Sequence, residues 1–83
     1  MDTESFVDME FIIGPNGEDP VDVHFEPTGM MYRVAPGDHL RVQVSGTTAG
    51  IPEVWHRPSD IVIWGWPDST IRVWDKKGHE LAI

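Results

Sequence analysis

The sequence contains no cysteine. That absence excludes disulfides, thiolate metal sites and a cysteine nucleophile, and it agrees with a reducing compartment. A second absence is positional. No lysine or arginine precedes Arg33, whereas residues 1–32 hold eight acids, Asp2, Glu4, Asp8, Glu10, Glu18, Asp19, Asp22 and Glu26. Residues 33–83 hold six acids and six bases, so the whole formal charge of −8 originates in the first segment. Phosphate binding needs cations that release counterions, so direct contact with nucleic acid is not expected. A partner with a basic surface is favoured by the same field. Long apolar runs are also missing, and the opening "MDTESFVDME" is acidic, so no membrane span and no secretion signal are expected. The expectation is a cytoplasmic protein.

Helical periodicity is the third thing the chain lacks. Strand alternation takes its place. In "FVDMEFII", Val7, Met9, Phe11 and Ile13 fall on one face, with Asp8 and Glu10 on the other. "VDVHFE" sets Val21, Val23 and Phe25 against Asp22, His24 and Glu26. "MMYRV" aligns Met30, Tyr32 and Val34, and "LRVQV" aligns Leu40, Val42 and Val44. Turn chemistry separates these runs: "GPNGEDP", "PTG", "APGD", "SGTTAG", "RPSD", "PDS" and "DKKG". Pro36 followed by Gly37 predicts a tight turn. "DKKG" predicts a type I turn closed by a left-handed glycine. The pattern predicts one all-β domain over 1–83, with an acidic N-terminal half (1–32) and Trp-rich C-terminal hairpins (51–83). Its seven or eight short antiparallel strands would form a sandwich or a partly closed barrel, with no substantial helix. A chain of this size buries only about 60–65% of its unfolded surface, so each large side chain matters to its stability.

Catalytic and metal chemistry find little footing. Ser59, His56 and Asp60 lie within one turn, "HRPSD", whereas a triad needs members converging from separate elements. No glycine-framed nucleophile, phosphate-cradling glycine pattern or calcium-loop spacing occurs. The four histidines, His24, His39, His56 and His79, are widely spaced. His24 and His39 both fall on outward faces and are the only candidates for a weak metal site. The segment "PGDHLRVQV" resembles a turn and strand of cupredoxin-like and cupin-like β-proteins. The resemblance implies β architecture alone, since the chain has neither a copper-ligating cysteine nor closely spaced histidines. No enzyme activity and no cofactor are expected.

What remains is the aromatic stretch "IVIWGWPDSTIRVW", with Trp64, Trp66 and Trp74, and Trp55 just upstream. Both parities of "IVIWGW" are apolar. Either the strand is covered on both sides, or the register breaks at Gly65, or one set of indoles is exposed. Pairing of "TIRVW" with "IVIWGW" across "PDS" would bring Trp74 beside Trp64. The leading functional expectation is a non-enzymatic protein-interaction module of inhibitor, immunity or accessory type. Its binding residues would be Trp64, Trp66, Arg72 and Trp74, with the acids Asp8, Glu10, Asp22 and Glu26. A carbohydrate-binding module with a Trp platform is the alternative, and a weak metal-binding β domain using His24 and His39 is a further one. A monomer or small homo-oligomer is expected in either case.

Overall fold

The computed structural model describes residues 7–46 and 50–83. Among the described residues, eight strands form two four-stranded sheets packed face to face. They are β1 (Val7–Ile13), β2 (Val21–Glu26), β3 (Met30–Val34), β4 (Leu40–Gly46), β5 (Glu53–His56), β6 (Asp60–Trp64), β7 (Ser69–Trp74) and β8 (Glu80–Leu81). The first sheet runs β1-β4-β7-β8 and the second β3-β2-β6-β5. The all-β expectation holds, and the outcome is an open sandwich rather than a closed barrel. None of the described residues is helical.

The alternating side chains build the core as the sequence pattern requires. Val21, Val23 and Phe25 of β2 and Ile61 and Ile63 of β6 point inward from one sheet. Leu40, Val42 and Val44 of β4 and Val73 of β7 meet them from the other. Met9, Phe11 and Ile13 of β1 pack against this cluster from the edge. The predicted turns also form. Asp38 donates its N–H to Ala35 O at 3.0 Å across Pro36 and Gly37, and Gly37 has φ of 87°. Gly78 closes the β7–β8 hairpin with φ of 89°, donating to Asp75 O. The β5–β6 hairpin closes through the N–H of Arg57 on Asp60 O at 2.8 Å.

Two expectations about pairing are corrected. The sandwich is not wholly antiparallel, because β2 and β6 run parallel, with Val23 beside Ile61 and Phe25 beside Ile63. These strands sit at the centre of their sheet, reached from separate β2–β3 and β5–β6 hairpins, so nothing local dictates their relative direction. Nor do β6 and β7 form a hairpin. After Trp64 the chain leaves one sheet and enters the other through a turn in which Ser69 donates to Trp66 O at 2.9 Å. Gly65 permits this crossing: a Cβ there would stand 2.3 Å from Ser69 Oγ. β6 instead pairs with β2 and β5, and β7 with β4 and β8.

Candidate functional site

Departure from the sheet at Gly65 separates the tryptophans. Trp66 turns into the core at 7% exposure, where its ring lies against the backbone of Gly46 and Gly50. Its Nε1 has no hydrogen-bond partner among the described residues. Trp64 stays on the outer face of the β3-β2-β6-β5 sheet at 42% exposure. Trp74 belongs to the other sheet, where Arg41 lies 4.1 Å and Arg72 5.0 Å from its ring centre. Two guanidiniums thus cover that ring. The expected surface of Trp64, Trp66 and Trp74 therefore does not exist as one patch. Arg72 is also committed elsewhere, to Glu80 at 2.7 Å.

The tryptophan that does accompany Trp64 is Trp55, 60% exposed. Strand register makes this explicit, since directly paired residues share a face. Across the outer face, Met31, His24, Val62 and Trp55 form one row. The next row is Glu26, Trp64 and Glu53. The row on the other side is Arg33, Asp22 and Asp60, with Arg57 beside Asp60. Two exposed indoles thus lie diagonally on one face, and Trp64 stands between two carboxylates. Trp55 donates its Nε1–H to Glu53 Oε1 at 2.9 Å, fixing both side chains. Glu26 makes no ion pair among the described residues.

An open pocket of about 590 Å³ adjoins Trp64. Phe25, Trp66, Ile71 and Ile83 form its apolar wall, and Glu26 stands among its polar lining residues. The arrangement offers an apolar slot and aromatic faces beside uncompensated negative charge.

The acidic residues do not form one face either. Asp8 and Glu10 lie on the outer side of the β1-β4-β7-β8 sheet, Asp22 and Glu26 on the outer side of the other. Most of them are answered by the second half of the chain: Arg41 meets Glu10 at 2.7 Å, Arg33 meets Asp22 at 2.8 Å, and Gln43 donates to Asp8 at 3.4 Å. Folding thus gives Glu10 and Asp22 arginine partners and Asp8 a neutral donor, and of these four it leaves Glu26 without an ion pair among the described residues.

The two candidate metal ligands are likewise parted. His24 sits on β2, with Nε2 3.4 Å from Asp60, whereas His39 precedes β4 of the other sheet. Among the described residues no group of three or more His, Asp or Glu is placed to hold a metal ion.

Hydrogen bonds from Arg33, Arg57 and Arg72 hold the carboxyls of Asp22, Asp60 and Glu80 below their ordinary values of 3.8, 3.8 and 4.5. Asp75 is lowered chiefly by the backbone N–H of His79. A depressed carboxylate stabilises the fold above its unfolded pKa, and this contribution is lost as pH falls through the folded value. Thermal melts are therefore expected to be level near neutrality and to move to lower temperature below about pH 4. A melting temperature that holds or rises through that range would refute this role for the four carboxylates. Partial solvent exposure of these pairs keeps the effect modest and salt-sensitive.

Comparison with protein-family models, with curated proteins and with solved structures finds no match. The site must be read from its own chemistry.

Proposed function

We propose that the protein is a non-enzymatic interaction module, of inhibitor, immunity or accessory type. It recognises a basic segment of a protein partner through the outer face of the β3-β2-β6-β5 sheet. The observation that carries this reading is the row Glu26, Trp64, Glu53, with Trp55 on the diagonal. A lysine or arginine has a long apolar stem and a cationic head. The pocket beside Trp64 suits the stem, and the indole face and Glu26 suit the head. The residues proposed for binding are thus Trp55, Trp64, Glu26 and Glu53, with Asp8, Glu10 and Asp22 engaged in intramolecular pairs.

Titration of the protein with a lysine- and arginine-rich decapeptide, followed by tryptophan fluorescence, tests the reading. Saturable binding is expected, weakening by about tenfold or more as salt rises from roughly 50 to 500 mM. No response, or a response indifferent to salt, would overturn it. Paired exposed indoles also suit sugar faces. Binding of soluble oligosaccharides without binding of the peptide would therefore move the site to the carbohydrate-binding class.

A further inference from the structure

β5 is an edge strand that carries two exposed large apolar side chains, Val54 at 50% and Trp55, with Ile51 at 81% just before it. The hydrogen-bond phase of this edge follows from the hairpin. Arg57 and Asp60 are a bonded pair. Facing pairs in an antiparallel ladder alternate between bonded and non-bonded. Trp55 with Val62 and Glu53 with Trp64 are therefore bonded, while Val54 and His56 turn their N–H and C=O groups outward. The unpaired edge is bounded on both sides by proline, at Pro52 and Pro58. Prolines beside a short strand are a device that limits edge association.

We infer that β5 pairs antiparallel with β5 of a second copy of this chain, about a two-fold axis perpendicular to the sheet, with Trp55 opposite Trp55 of the second copy. This register faces Val54 with His56 of the second copy and Glu53 with Arg57 of the second copy. All outward N–H and C=O groups of Val54 and His56 on both chains are then satisfied. The ladder stops where Pro52 meets Pro58, neither of which has an N–H to give. Arg57 holds Asp60 through Nε and Nη2, so Glu53 of the second copy meets it at Nη1 and two glutamate–arginine pairs close across the axis. The two indoles occupy a non-bonded site, where side chains approach most closely. Shifting the axis to Val54 sets His56 against Pro52, which has no N–H to give to the His56 C=O. It also places Arg57 opposite Ile51 in place of an acid. Shifting it to His56 sets Val54 against Pro58, leaves the Val54 C=O without a donor in the same way, and sets Glu53 opposite Ser59 in place of a base. The placement of Glu53 opposite Arg57 thus selects one register, and an isologous pairing that consumes β5 on both chains closes at two.

A four-residue ladder is small beside the roughly 1,200–2,000 Å² of stable complexes, so the dimer is weak and concentration-dependent. Each chain brings a charge of −8, and their mutual repulsion is relieved by screening. Salt therefore strengthens this association, opposite in sign to its effect on a basic ligand.

Sedimentation equilibrium from about 10 μM to 1 mM at roughly 0.5 M salt tests the pairing. The wild-type mass is expected to rise from one chain toward two. Glu53→Arg and Arg57→Glu should each raise the dissociation constant by at least about tenfold, because each sets like charges opposite one another twice. An equimolar mixture of the two variants should regain dimer, as both cross-axis pairs become complementary. Val54→Pro removes an outward N–H without touching the β6 ladder, and should also yield monomer. Circular dichroism confirms that each variant is folded. Wild type that stays monomeric throughout, or variants that dimerise like wild type, would overturn the inference. Because the readout is mass and the decisive comparison uses the wild-type chain, its failure would leave the peptide-binding reading standing.

Discussion

Trp66→Ala is expected to lower stability by about 3–5 kcal/mol, the range for removing a large aromatic from a core that cannot collapse around it. A domain of 83 residues has roughly 4–12 kcal/mol in total, so much of this variant should be unfolded at modest urea concentrations. The reason lies in how the ring is held. Trp66 closes the end of the sandwich where the chain crosses between sheets, next to Phe25 and Ile71 of the pocket wall. A Cβ at Gly50 would come within 2.1 Å of its Cγ, and one at Gly46 within 3.1 Å of its Nε1. Both glycines therefore make room for the indole, and Gly50→Ala should itself cost about 1–3 kcal/mol by overpacking. Trp55→Ala, on the exposed face, should cost no more than about 0.5–1 kcal/mol. Urea unfolding monitored by circular dichroism distinguishes these outcomes. Equal losses for Trp66→Ala and Trp55→Ala would contradict the division of tryptophans between core and surface.

Much of the fold was legible because strand alternation and turn chemistry are local. Val21, Val23 and Phe25 announce an inward face whatever strand lies beside them, and Gly37 and Gly78 take the positive φ that their turns demand. Partner choice is not local. Nothing in "VDVHFE" or "IVIW" specifies that these segments run parallel, and "PDS" satisfies a turn between sheets as readily as a hairpin. The mistaken pairing of Trp64 with Trp74 followed from that. Parity also misplaced Trp66, because counting by twos assumes that the strand continues, and β6 ends at Trp64. The acidic face failed for a related reason. Counting charges along the chain overlooks Arg33 and Arg41, which the register returns to Asp22 and Glu10. Trp55 is a site residue that the parity of "IVIWGW" does not reveal. The signal that would have found it is "EVWH" itself: it places Glu53 and Trp55 on one parity of a short strand between prolines, next to a strand already apolar on both faces.

The central functional claim is that Trp64, and not Trp74, faces the partner. The most direct measurement is the affinity of Trp64→Ala and Trp74→Ala for the same basic decapeptide, by titration calorimetry. Trp64 contacts the pocket and stands between Glu26 and Glu53, so its removal takes away the aromatic face and one pocket wall. Central aromatics of this kind account for about 2–4 kcal/mol on truncation, which corresponds to a loss of roughly 30-fold to 1,000-fold in affinity. Trp74 lies on the other sheet beneath Arg41 and Arg72, whose cations repel a basic ligand. Its removal should change affinity by less than about twofold. The reverse result, with binding lost in Trp74→Ala and kept in Trp64→Ala, would contradict the assignment of the site.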